Sequence, residues 1–236
     1  MKEIVKRILK SHALGLRIYS ALHRVYRAYK GPREVRRLHR CGYEALDRLH
    51  ATLTSAGVPY YCEAGTLLGI VRDNGFIKHD DDIDIAILPE IVEPRRVLET
   101  LLRAGYRFVH GFVYDGKTSE FTVRDVSGIP IDVFFHQYVP GDRLHEHQTF
   151  MRWYPEKNYP SADANNALQF TFVAPTGIEI ATVNGVAINI PKNAEEILDS
   201  EYGLWRIPDP NFKSDSLKYV VLPGYAYRKL SAEELP

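Results

Sequence analysis

Asp80-Asp81-Asp82-Ile83-Asp84-Ile85-Ala86-Ile87-Leu88 alternates acid and aliphatic with a period of two from Asp82 onward. That period is a β-strand's, with Ile83, Ile85 and Ile87 on a core face and Asp82 and Asp84 together on the other. Two residues along a strand place the two acids about 7 Å apart at Cα. Carboxylates so close repel unless a cation lies between them, and hard oxygen ligands suit Mg²⁺ or Mn²⁺. Asp80 and Asp81 read as a solvated turn leading into the strand.

A third acid stands in similar company. Asp132 lies inside Ile131-Asp132-Val133-Phe134-Phe135, where an unpaired charge in an apolar strand is costly. A metal shared with Asp82 and Asp84 removes that cost. Upstream, Val58-Pro59-Tyr60-Tyr61-Cys62-Glu63-Ala64 reads as a strand that turns through Gly65-Thr66 into a short helix reaching Arg72. Free N–H groups at such a helix start, with the Thr66 hydroxyl, can hold phosphate oxygens, and Arg72 can contact a phosphate. A phosphate-holding turn, an Asp-x-Asp strand and a later third acid are the parts of metal-assisted phosphoryl transfer. Lys78 and His79 flank the acids and read either as contacts to phosphate or acceptor or as surface residues.

Farther out, apolar periodicity predicts a helix over 33–55 with Leu38, Tyr43, Leu46, Leu49 and Leu53 inward, and another from Pro94 to Ala104. Strands are expected at 106–114, 119–126 and 129–139, then near 170–180 and 185–190, with a helix from Asn193 to Ser200. Residues 140–169 are polar, aromatic and irregular, so a functional loop or lid is expected there; Phe150 to Tyr154 could stack on a base or sugar.

The 236 residues carry equal numbers of acidic and basic side chains, with 45% hydrophobic content. Disorder, collagen and coiled coil are excluded. Cys41 and Cys62 are too few to staple the chain or to form a four-ligand zinc site. The charge is uneven. Residues 1–40 hold twelve Lys/Arg against two acids, and the remainder holds eighteen bases against twenty-eight acids. The chain divides into a basic amphipathic helical arm, 1–40, and a catalytic body, 41–236, with Gly31-Pro32 as the expected joint between two helices. The arm reads as an interfacial helix on an anionic membrane surface or as a helix packed on protein; nucleic acid is not expected. No secretory signal or bilayer-spanning run is expected, which favours a cytoplasmic protein, peripheral on the inner face of the cell membrane.

Gly65-Thr66-Leu67-Leu68-Gly69, Arg72, Gly75-Phe76-Ile77, Asp80-Asp81-Asp82-Ile83-Asp84-Ile85 and Ile131-Asp132-Val133-Phe134 resemble, in order and spacing, the LicD family, as do Tyr202-Gly203, Trp205 and Pro208. The resemblance covers roughly residues 40–212. It implies an α+β, nucleotidyltransferase-like mixed β-sheet flanked by helices. It also implies transfer of a phospho-alcohol (ribitol phosphate, phosphocholine or glycerol phosphate) from a CDP-linked donor to a hydroxyl of a glycan or its lipid-linked precursor. On this reading Asp82, Asp84 and Asp132 hold one or two Mg²⁺ or Mn²⁺ ions. Gly65, Thr66, Arg72, Lys78 and Asp81 face substrate, and Asp132 or a neighbour such as Asp81 takes the proton of the attacking hydroxyl. Lys78-His79 and Glu63 depart from the family pattern. Other readings are a nucleotidyltransferase moving NMP from NTP to a small hydroxyl compound, a metal-using glycosyltransferase, and a catalytically silent scaffold at the membrane.

Overall fold

The structure, a computed structural model of the chain, describes residues 13–88, 91–114, 116–144, 147–155, 167–209, 212, 219–222 and 228–234. The chain enters as α1 (Ala13–Ser55), a single helix of 43 residues, about 64 Å long at helical rise. Proline in a helix interior removes a hydrogen bond and crowds the preceding turn, so Gly31-Pro32 was expected to separate two helices. Instead the helix runs through that dipeptide. Downstream it is fixed by tertiary packing, with Leu38, Ala45, Leu46, Leu49 and Leu53 all fully buried. Gly31, with no Cβ to meet the proline ring, eases the helical conformation before Pro32.

After α1 come β1 (Tyr60–Cys62), α2 (Ala64–Asp73), β2 (Ile83–Ile87), α3 (Pro94–Arg103), β3 (Arg107–Tyr114), β4 (Lys117–Arg124) and β5 (Pro130–Phe135). They build a mixed sheet in the order β1-β2-β5-β4-β3, to which the short C-terminal β12 (Arg228–Leu230) adds beside β3. Only β2 and β5 pair in parallel; the other pairs of this sheet are antiparallel. The α+β architecture expected for the body is therefore present. Helices cover both faces. One face carries Ile83, Ile85, Ile87, Ile131, Val133 and Phe121 into a core with α1 and α3. The other carries Ala86 and Phe134 against Leu67 and Leu68 of α2 and residues farther along the chain.

The described residues of the region 140–169, expected to be irregular, are strand. β6 (Gln137–Leu144), β7 (His147–Pro155) and β8 (Ala167–Val173) form a second sheet with β11 (Val220–Leu222), in the order β11-β8-β7-β6. Aromatic residues favour such pairing, and Phe150 lies opposite Phe172 in the β7–β8 register. Residues 145–146 and 156–166 lie outside the described residues, as do the side chains of 150–154. The expected strand 129–139 is split at His136, where the chain passes from the first sheet to the second. A hairpin, β9 (Ile178–Val183) and β10 (Val186–Pro191), turns at Asn184-Gly185 with both residues at positive φ, the geometry that hairpin twist prefers. α4 (Ala194–Tyr202) follows and packs on the α2 side of the first sheet through Ile197 and Leu198.

Candidate active site

Parallel pairing of β2 with β5 decides the site. In that register Asp84 lies directly opposite Asp132, and alternation brings Asp82 to the same face. One carboxylate oxygen from each of Asp82, Asp84 and Asp132 lies within 4.8 Å of the others. All three residues are half-buried.

The chain places Asp84 by its backbone. Thr66 Oγ1 accepts a hydrogen bond from Asp84 N–H at 2.9 Å, and Glu63 N–H donates to Asp84 O at 3.1 Å. The corner between β1 and α2 thus grips both polar groups of one peptide-chain residue. To make that corner, Ala64 takes φ of 47°, a left-handed conformation that costs a non-glycine residue on the order of 1 kcal/mol. The approach to the strand is fixed as tightly. A Cβ on Gly69 would stand 2.4 Å from Gly75 O, and one on Gly42 would stand 2.5 Å from the Phe76 ring. Those two close approaches seat the 73–80 turn on α2 and α1. Gly65 in turn makes room for Asp80, whose Oδ2 would stand 3.1 Å from a Cβ there.

Electrostatically, the acids oppose one another. Burial pushes the Asp84 carboxyl well above the ordinary carboxylate range, and Asp82, Asp132, Asp80 and Glu63 push it further. Asp82 is raised by burial, then by Asp132, Asp81 and Asp80, with a backbone hydrogen bond opposing. Burial and then Asp81 raise Asp80 to about 7, against a lowering pull from Arg72. Among the described residues, no Lys or Arg is a cause of the shift at Asp82 or Asp84. Three converging carboxylate oxygens, two of them on acids raised by burial and by their acidic neighbours, could hold a divalent cation.

The remaining sequence candidates fall at different distances from this centre. Thr66 is buried, with its hydroxyl turned to the Asp84 backbone. Asp81 is half-buried and acts on both Asp80 and Asp82. Arg72 grips Asp73 through Nε and Nη2, at 2.9 and 2.8 Å, and its Nη1 lies 3.4 Å from Trp205 O; its link to the acids is its effect on Asp80. Lys78 and His79 are exposed in the turn before the acids. Asp80 is more enclosed than a solvated turn: its Oδ2 is buried with no hydrogen-bond partner among the described residues. Trp205 is buried, and its Nε1 donates to Asp199 at 2.8 Å.

Sequence reasoning did not reach two features. Thr122 Oγ1 donates to Asp132 Oδ1 at 2.5 Å. His136 Nε2 lies 2.5 Å from Glu63 Oε2, both side chains essentially inaccessible, with the His136 ring edge-on to Phe172. The second pair joins residues 73 apart, so no local pattern announces it. A glutamate closing an apolar strand was the one available signal.

Comparison with known proteins gives a consistent picture. A family model described as LicD/FKTN/FKRP, nucleotidyltransferase domain, matches residues 57–174, a span holding the three acids and the Gly65-Thr66 turn. An uncharacterised protein of Rickettsia typhi is 31% identical over 122 residues, which are 50% of this chain and 38% of that protein. A ribitol-5-phosphate transferase, FKTN, of Mus musculus is 25% identical over 167 residues, 70% of this chain and 33% of that protein. The matched stretches thus take in about a third of these relatives' own length.

Proposed function

The chain belongs to the LicD/FKTN/FKRP nucleotidyltransferase-domain family, and from that premise we propose that it is a metal-dependent phosphotransferase. The donor is a CDP-linked alcohol carrying ribitol phosphate, phosphocholine or glycerol phosphate, and the acceptor is a hydroxyl of a cell-surface glycan or its lipid-linked precursor. One observation carries this reading: two parallel strands set Asp84 opposite Asp132, with Asp82 beside them, so that one carboxylate oxygen of each lies within 4.8 Å of the others.

Asp82, Asp84 and Asp132 would hold one or two Mg²⁺ or Mn²⁺ ions. A cation bound there supplies charge neutralisation for the donor pyrophosphate and the departing oxygen. The opening turn of α2, Gly65-Thr66, offers N–H groups to the phosphates, and Thr66 also holds Asp84 in place. Arg72, in the last turn of α2, and Lys78, midway along the connection to β2, add positive charge. The acceptor oxygen attacks the phosphorus that bears the alcohol, the bond from that phosphorus to the CMP oxygen breaks, and CMP leaves. The hydroxyl proton passes to Asp132 or Asp81.

The division into a basic arm, 1–40, and a catalytic body, 41–236, belongs to the same proposal, although α1 crosses that boundary without a break. No helix among the described residues is long and apolar enough to cross a membrane. With twelve Lys/Arg against two acids, the arm would bring the enzyme to an anionic membrane on the cytoplasmic side, where a lipid-linked acceptor is at hand. Incubation with CDP-ribitol, CDP-choline, CDP-glycerol and the nucleoside triphosphates, each with Mg²⁺ or Mn²⁺, tests the chemistry. CMP release from one CDP-alcohol, abolished in Asp84→Asn, is expected. Pyrophosphate release from a triphosphate would instead identify transfer of NMP.

A further inference from the structure

A row of polar side chains crosses four strands and ends at the triad. Asp84 of β2 lies opposite Asp132 of β5, Asp132 opposite Thr122 of β4, and Thr122 opposite His110 of β3. All four therefore share one face of the sheet. Thr122 is 5% exposed. Its Oγ1 donates to Asp132 Oδ1 at 2.5 Å and lies 3.4 Å from His110 Nε2. A hydroxyl has one proton to give. With that proton directed at the carboxylate, the Thr122 oxygen can only accept from the histidine, so Nε2 carries a hydrogen. The donors then run in one direction, His110 to Thr122 to Asp132, each polarising the next.

Local irregularity puts the histidine there. On β3 the register slips between Phe108, opposite Val123, and His110, opposite Thr122. Two residues on β3 thus face one step on β4, the pattern of a β-bulge. An unbroken ladder would set Val109 opposite Thr122. The bulge puts His110 in that place and leaves Val109 44% exposed. The imidazole is further steadied by Phe112, edge-on at 5.0 Å between ring centroids and 78° between planes.

We propose that His110, acting through Thr122, is a positioning residue for Asp132: the relay fixes the orientation of that carboxylate toward Asp82 and Asp84 and so tightens divalent-cation binding. The proposal rests on the reading of the triad as a metal site. Hydrogen-bond partners behind a metal ligand commonly alter affinity by about 10–100-fold.

The experiment is Mn²⁺ binding to the full chain, followed by the loss of the free-ion electron paramagnetic resonance signal, with metal-free melting temperatures as a check on folding. Thr122→Val keeps shape and removes the hydroxyl; it should weaken Mn²⁺ binding by about tenfold. His110→Ala should weaken it by a similar or smaller factor, and the double variant no more than Thr122→Val alone, because both changes cut one chain. Thr122→Ser restores the hydroxyl and His110→Gln restores an N–H donor; each should bind within about twofold of the native chain. A merely structural role would not produce that rescue together with that non-additivity. Native-like Mn²⁺ affinity in Thr122→Val and His110→Ala, with binding lost in Asp84→Asn, would overturn the relay and leave the metal site standing. Losses that multiply in the double variant, or no rescue by His110→Gln, would overturn it equally. Failure of the native chain to bind Mn²⁺ above the level of Asp84→Asn would remove the metal site and the relay together.

Discussion

Two groups of acid stand at this sheet, one buried and one half-buried, and the chain treats them in opposite ways. Asp125, just past the end of β4 and 1% exposed, is provided for internally. Its Oδ1 accepts from Ser127 Oγ at 2.7 Å and from Ile129 N–H at 2.9 Å, and its Oδ2 accepts from Arg48. Burial raises its carboxyl, but those bonds together outweigh burial and hold it below the ordinary range. Asp82 and Asp84 have no basic partner among the described residues and are raised instead. An acid satisfied by its own chain is architecture. Acids left facing one another are incomplete until something positive arrives, and the same distinction separates structural from functional charge in proteins at large.

The contrast yields graded predictions. Asp84→Asn removes a donor that the reaction needs, so turnover should fall by at least about a thousandfold; a variant retaining a tenth of native CMP release would break the functional half of the contrast. Asp125→Ala strands Arg48 and the Ile129 N–H, and should lower unfolding free energy in urea by about 2–4 kcal/mol, with kcat little changed. The native Asp125 carboxyl is depressed, so its contribution is present above the unfolded-state pKa and is lost as pH falls through the lower folded value. The gap in unfolding free energy between native protein and Asp125→Ala should therefore shrink as the pH drops below the ordinary carboxylate range. A gap constant with pH would show that Asp125 does not ionise on this account. Gly69→Ala should cost about 1–3 kcal/mol, because its Cβ meets the Gly75 carbonyl rather than a flexible side chain. Gly31→Ala meets nothing beyond its own chain neighbours, and its gain of about 1 kcal/mol in helix propensity is opposed by the crowding that Pro32 imposes on a Cβ before it, so it should cost less than Gly69→Ala. A smaller loss at Gly31 than at Gly69 would sharpen the claim that close approach around the acids is what Gly69 of α2 provides. Smallest of all, thiol labelling should modify Cys41 before Cys62, whose thiol burial pushes up to about 12 with help from Asp84.

How far the sequence reached follows from the range of each signal. Asp82 and Asp84 declare themselves by alternation within one strand, and Asp132 by the apolar residues around it. Gly69 and Gly75 sit in the matched motif, but their reason, a helix and a turn in contact, is visible only in three dimensions. Pairing across strands is not local: Thr122 and His110 become part of the site only through the antiparallel register of β3, β4 and β5, including a bulge that no periodicity marks. Glu63 and His136 meet across two elements and a change of sheet. The long helix through Pro32 shows the other limit, since a local breaker signal is accommodated within one continuous helix. Residues 140–155 read as loop because their polar residues mask the strand pattern, whereas in the structure β6 and β7 pair across them.

The most direct test of the claim that Asp82, Asp84 and Asp132 await a cation is thermal unfolding of the native chain and Asp84→Asn, each in EDTA and in Mn²⁺. Without metal the variant should melt higher, because one repelling charge has gone. With Mn²⁺ at about a hundred times its Kd the native chain should gain about 2.7 kcal/mol and the order should reverse. Melting temperatures that Mn²⁺ leaves unmoved, or moves equally in both proteins, would contradict the account.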